Sequence, residues 1–123
     1  MVAGCATVDT LKDGTIHKHI DRLGEKMRKG LEDVFSGSKY PASVTGVGST
    51  FAIHFQKEKP LSAGDTAKND ISMTRAYFKH MLESNIIYLS PTVSHSWVSS
   101  PHTDEEIEAY LIATEEFMKS YKP

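Results

Sequence analysis

The residues able to do chemistry in this chain are few: six histidines, one cysteine, and a polar run from Ser94-His95 to His102-Thr103-Asp104-Glu105. On paper Ser94, His95, His102, Asp104 and Glu105 could be arranged as a nucleophile, a base and an orienting carboxylate, or as metal ligands. Nucleophilic hydrolysis usually mounts its serine on a Gly-x-Ser-x-Gly turn between strand and helix, and the chain has no such turn. His17 and His19 are spaced i, i+2, so on a helix they point to different faces, whereas a helical ligand pair needs i, i+3 or i, i+4. They read as surface histidines. His54 is expected on the outward face of a strand and His80 on a helix surface. Cys5, between Gly4 and Ala6, reads as a small packed residue; with one cysteine there is no intrachain disulfide, which suits a reducing compartment. No catalytic residue and no metal ligand is assigned on these patterns.

The elements that must position these residues centre on Ser43–Phe55. Phe51, Ile53 and Phe55 alternate with the period of a half-buried strand. Val44 and Val47 flank Gly46, and Gly48 follows, which predicts a β-hairpin reversing on glycine with the Phe51–Phe55 strand near the middle of a small sheet. Met1–Leu11 reads as a helix of small residues. It has no capping residue in front of it, so the chain is expected to be part of a longer protein.

After Asp13-Gly14-Thr15 a long amphipathic helix carries Ile16, Ile20, Leu23, Met27, Leu31 and Val34 on one face and ends at Ser36-Gly37-Ser38. Residues 57–69 are polar, hold Pro60 and Gly64, and read as an exposed, mobile loop. Asp70 caps a helix that buries Met73, Tyr77, Phe78, Met81 and Leu82, with Asn85 as its left-handed stop.

Ile86-Ile87-Tyr88-Leu89 reads as a strand, Ser90–Ser96 as a loop and Trp97–Ser100 as a second strand. Thr103-Asp-Glu-Glu106 is a capping box with an acidic first turn, and it opens a helix burying Ile107, Leu111, Ala113 or Thr114, Phe117 and Met118. The order is α-α-β-β-α-β-β-α: an α+β fold, with helices on one face of a small, largely antiparallel sheet.

Length and composition bound the function. At 123 residues there is one core and one domain. A net charge of -2 gives no electrostatic case for nucleic acid or an anionic membrane, and no apolar run is long enough to span a bilayer. The start lacks a basic n-region, so no signal peptide is read and the cytoplasm is expected.

Three ordered stretches resemble a known family. Met1-Val-Ala-Gly-Cys-Ala-Thr-Val-Asp-Thr-Leu-Lys12 resembles the small-residue helix that follows the Asn-Pro of class III aminotransferases. Val47-Gly-Ser-Thr-Phe-Ala-Ile-His-Phe55 resembles the Gly-Ser-Met-Phe strand of glutamate-1-semialdehyde 2,1-aminomutases. Ile87-Tyr-Leu-Ser-Pro91, Trp97-Val-Ser99 and His102-Thr-Asp-Glu-Glu-Ile107 resemble the end of the same enzymes.

The resemblance covers essentially the whole chain. It implies the C-terminal small domain of a fold-type I enzyme that uses pyridoxal 5'-phosphate, acts on an amino-acid substrate and works as a homodimer. It implies that the Schiff-base lysine lies in a preceding large domain absent from this chain, and that the phosphate-binding threonine falls just upstream of Met1. On this reading the chain alone is inactive, holds no cofactor tightly, and contributes a loop at the active-site mouth, with Ser94 and His95 as mouth residues.

The loop departs from the aminomutase pattern, which carries a glutamate in a Ser-Gln-Phe-Glu context; this chain has Thr92-Val-Ser-His95, one residue shorter. No acidic residue stands there, so a related aminotransferase fits as well as an aminomutase. The alternative from another class is a free-standing interaction module derived from the same fold.

Overall fold

The computed structural model describes residues 1–88 and 95–123. Helix α1 (Val2–Leu11) leads into α2 (Thr15–Ser36), the hairpin β1 (Ser43–Thr45) and β2 (Thr50–His54), a short 3₁₀ turn (Ala63–Lys68), α3 (Ile71–Glu83), β3 (His95–Trp97) and α4 (Asp104–Ser120). The three strands form one antiparallel sheet in the order β1-β2-β3, so β2 is central as its alternation predicts.

Alternation on β2 sorts the sheet into two faces. Phe51, Ile53 and the following Phe55 join Val44 of β1 on the inner face and are buried with Leu23, Met27, Leu31 and Phe35 of α2. Helix α3 adds Met73, Tyr77 and Met81, and α4 adds Ile107, Tyr110, Phe117 and Met118. The i, i+4 spacing of the α2 set keeps one stripe on the sheet, and each buried side chain of this size contributes about 1.5–3 kcal/mol.

The centre of the core is aromatic. Phe55 meets Phe35, Tyr77 and Phe117 at ring-centroid distances of 6.5, 5.3 and 6.1 Å. Buried Tyr77 is tied to α4 through Thr114 Oγ1 at 2.9 Å. Since Thr114 donates its one hydroxyl proton to the Tyr110 carbonyl at 2.8 Å, Tyr77 is the donor in that bond.

Helix ends follow the expected signals. The Asp70 side chain accepts from Met73 N, Asn85 takes φ 60°, and Thr103 with Glu106 closes a capping box on α4. The hairpin reverses on Gly46 and Gly48, both at positive φ. Its turn is pressed onto α2: a Cβ on Gly24 would overlap the Gly48 carbonyl and lie 2.8 Å from Ser49 Cα. Arg28 donates to the carbonyls of Gly48 and Thr50 and ties the same turn down.

Several expectations change. Ile86–Tyr88 is not a strand, and Leu89 lies outside the described residues. The left-handed Asn85 folds the chain back so that Ile86 N bonds Met81 O, which removes it from any sheet edge. The last strand is His95–Trp97 rather than Trp97–Ser100: Val98 N still bonds Ser49 O, then Ser99–His102 turns into α4. Among the described residues the order is therefore α-α-β-β-α-β-α, with a 3₁₀ turn inside the predicted loop 57–69, where Ser62 and Asp65 form a capping box.

Leu82 and Cys5 are exposed, and none of α1 is buried, so the packing expected of Cys5 has no counterpart among the described residues. His54 takes the outward face as expected but is buried there, on a face it shares with Ser43, Thr45 and Gln56. His80 is half-buried and donates from Nε2 to the Ala113 carbonyl at 2.9 Å, joining α3 to α4.

Candidate functional site

The outer face of the sheet carries His54, His95 and Trp97. Antiparallel register sets His95 opposite Ala52 and Trp97 opposite Thr50, while Ser43 and Thr45 flank β2 on the other side. Residues two apart on β3 share a face, so His95 and Trp97 stand together. Their rings meet edge to face, 5.0 Å apart at 83°. Both are exposed, Trp97 to 49%.

Of the two mouth residues predicted from sequence, His95 therefore lies on this open face, and Ser94 falls outside the described residues. Trp97 was read only as part of a strand. The signal that pairs it with His95 is the i, i+2 spacing, which shows only once the strand is known to begin at His95.

The other residues of the paper constellation are not brought together. Asp104 bridges α4 to α2 through Arg22 at 2.9 Å and Lys26 at 2.8 Å, and those cations hold its carboxyl well below the usual carboxylate range. His102 accepts at Nδ1 from Ser99 N at 3.1 Å and forms a 2.8 Å bond with Ser99 Oγ, closing the turn before α4. Its backbone carbonyl accepts from His19 Nε2 at 3.0 Å. These groups hold the α2–α4 junction, and Glu105 stays exposed. Among the described residues no three His, Cys, Asp or Glu side chains gather to hold a metal.

A cleft of about 440 Å³ opens between Ile86–Tyr88, β3 and α4, walled mainly by Met27, Phe51, Ile86, Tyr88, Val98 and Ile107. Glu106 lies along it, but its carboxylate is engaged by Thr103 N at 2.7 Å and Thr103 Oγ1 at 2.6 Å. No lysine or arginine lines it, so it offers no counter-charge to a phosphate or carboxylate.

An amine nucleophile must shed its proton, which burial in a dry pocket promotes. No lysine of this chain is buried. The one half-buried lysine, Lys26, is bound to Asp104 and Glu108 at 2.8 Å each, and these bonds raise its pKa.

No family model matches the chain. A glutamate-1-semialdehyde 2,1-aminomutase from Methanothermobacter thermautotrophicus is 32% identical over 122 residues, covering 99% of this chain and 29% of that protein. A second, from Thermus thermophilus, is 26% identical over 114 residues, covering 92% of this chain and 27% of its own length. Among solved structures, a β-phenylalanine aminotransferase from Variovorax paradoxus superposes with a TM-score of 0.74 at 28% identity, over 81% of this chain and 23% of that one. The match falls on the C-terminal portion of these proteins.

The chain belongs with the class III aminotransferases, as their C-terminal domain. A glutamate-1-semialdehyde aminomutase from Pseudomonas aeruginosa, TM-score 0.75 at 14% identity, shares the fold. The chain spans about 29% of the length of the Methanothermobacter relative. Within this class III domain the helices cover the inner face of the sheet, and His95 and Trp97 stand on the other.

Proposed function

We propose that this domain serves a pyridoxal 5'-phosphate-dependent aminotransferase or aminomutase, where it forms part of the wall at the mouth of the active site. The observation that carries the reading is the match of 99% of the chain, at 32% identity, to 29% of an aminomutase. Solved relatives include a transaminase with PLP bound and an aminomutase in complex with PMP.

The residues of this chain do not fit the holding of that cofactor: no lysine is buried, and the apolar cleft between β3 and α4 has no lysine or arginine for a phosphate. When bound in such an enzyme, the cofactor supplies the electron sink for amino-group transfer. What this chain supplies is a rigid sheet, pinned by Arg28 and Gly24, that presents His95 and Trp97 in a fixed pair.

On this reading the working enzyme is a cytoplasmic homodimer acting on a small amino-acid substrate, with Ser94 and His95 at the mouth. The mouth loop is one residue shorter than the aminomutase pattern and carries no acidic residue in place of its glutamate. A mouth without that carboxylate disfavours a substrate held through a positive charge, so an aminotransferase of different side-chain preference is the reading for substrate class.

The isolated chain, mixed with pyridoxal 5'-phosphate and reduced with borohydride, is expected to show only scattered, substoichiometric labelling of its exposed lysines. Stoichiometric labelling of one lysine would overturn the assignment of the chemistry to another part of the enzyme.

A second reading, a free-standing interaction module, is favoured by α1. None of its residues is buried, and Val2 and Val8 are 87% and 65% exposed. A helix of this length gains little stability without a packing partner. Sedimentation of the isolated chain separates the two: a defined oligomer that protects α1 from proteolysis supports the module, and a monomer with a cleavable α1 supports the domain.

A further inference from the structure

Four histidines are bonded into the fold through a ring nitrogen: His19 to the His102 carbonyl, His54 to Thr45 Oγ1, His80 to the Ala113 carbonyl and His102 to Ser99 Oγ. His95 is held differently. Its ring makes no hydrogen bond among the described residues, and its ring contact there is with Trp97, at 5.0 Å and 83°.

The strand beneath the pair sets this contact up. Residues two apart on a strand share a face and are spaced roughly 6.6–6.8 Å along it. The ring centroids lie closer than that, so the two side chains lean together. The neighbours across the sheet do not take the place of the indole. His95 is opposite Ala52, which has no polar side-chain atom. Trp97 is opposite Thr50, whose hydroxyl donates to the Val47 carbonyl at 2.7 Å.

The backbone itself is fixed. Ser96 pairs with Phe51 of the core face, and buried Val98 donates from N to the Ser49 carbonyl at 2.9 Å. What is left free in His95 is its two side-chain torsions, and the edge-to-face indole restrains them.

We propose that Trp97 is a positioning residue for the active-site mouth: its indole holds the His95 imidazole in one orientation, and the hold of the mouth on substrate depends on both rings. The proposal rests on the reading of His95 as a mouth residue. An imidazole has a nitrogen on each side that can donate or accept. A wandering ring presents them in many directions and must be ordered when substrate binds, whereas a ring already held loses less freedom. Loss of Trp97 therefore weakens binding more than it slows the chemical step.

The test uses the whole chain, first alone. Trp97 is its only tryptophan, so NMR cross-peaks between the indole and a histidine ring are unambiguous, and His95→Gln identifies the histidine. The order parameter of the His95 ring is expected near that of rigid backbone, about 0.85, falling below about 0.6 in Trp97→Leu and largely restored in Trp97→Phe. The rings of His54 and His80 should stay ordered in all three. A His95 ring as ordered in Trp97→Leu as in the unsubstituted chain would overturn the proposal.

The enzymatic half places residues 1–123 in the Methanothermobacter aminomutase in exchange for its matching portion. There Trp97→Leu should raise KM about three- to tenfold with little change in kcat, and Trp97→Phe should fall between. An unchanged KM in His95→Ala removes the mouth reading on which the proposal rests. A raised KM in His95→Ala beside an unchanged one in Trp97→Leu overturns the proposal alone. Should the chimera turn over no substrate, the order of the ring decides.

Discussion

The two faces of β2 use the same backbone to opposite ends. Phe51, Ile53 and Phe55 look inward onto three helices, where Phe51 meets the Tyr110 ring and Phe55 those of Phe35, Tyr77 and Phe117. Thr50, Ala52 and His54 look outward, where buried polar atoms lack partners and His95 and Trp97 stand exposed. The inner face is complete in this chain; the outer face is held less tightly. A domain that must fold firmly yet meet other parts of an enzyme needs both.

The largest effect that would break this contrast is on the inner face. Phe55→Ala removes the ring that joins Phe35, Tyr77 and Phe117, and should cost about 3–5 kcal/mol in urea unfolding. A loss no greater than that of an outer-face substitution would mean the core lies elsewhere. Next is Gly24→Ala, which forces the Gly48 turn away from α2. It should destabilise by about 1–3 kcal/mol and shift the amide resonances of Val47–Thr50.

Thr103→Ala removes one half of the α4 capping box and should cost about 1 kcal/mol. Asp104 sharpens the comparison through pH. Its carboxyl is held down by Arg22 first and Lys26 second, so its contribution is full above the unfolded carboxylate range and disappears only as strong acid protonates the folded state. Asp104→Asn should flatten the acid limb of a stability-versus-pH curve, and salt should mimic part of that flattening. The smallest effect belongs to the outer face: Trp97→Ala should change stability by less than about 0.5 kcal/mol while removing the ring contact to His95.

Where a local rule fixes the outcome, the residues announce it. Thr103 with Glu106, Asp70, Asn85 and the Gly46–Gly48 reversal all act within a few residues of themselves, and each sits where its chemistry places it. The strand at Phe51 was legible because one face alternates against the core. Ile86-Ile87-Tyr88 was misread because a short apolar run has no period to separate a strand from a buried turn. Asn85 decides the matter by reversing the chain.

His54 takes the outward face that alternation assigns it, but alternation does not say what covers a face, and His54 is buried there. The site was less legible than the fold. His95 could be named from the loop it follows, but its partner Trp97 depends on where β3 begins, which is set by pairing with Thr50 and Ala52 forty-odd residues earlier in the chain. The burial of α1 is likewise a matter of what it meets, and its small residues alone do not say.

The measurement that tests the central claim most directly is a domain replacement. Residues 1–123 would be substituted for the matching C-terminal portion of the Methanothermobacter aminomutase, and the purified chimera assayed for cofactor absorbance and for amino-group transfer. The account predicts a folded protein that retains the cofactor and transfers amino groups, with a substrate preference that moves back toward the parent when His95 is replaced by Glu. A chimera that folds and binds cofactor but transfers no amino group from any amino-acid donor would contradict the assignment of this chain to an aminotransferase.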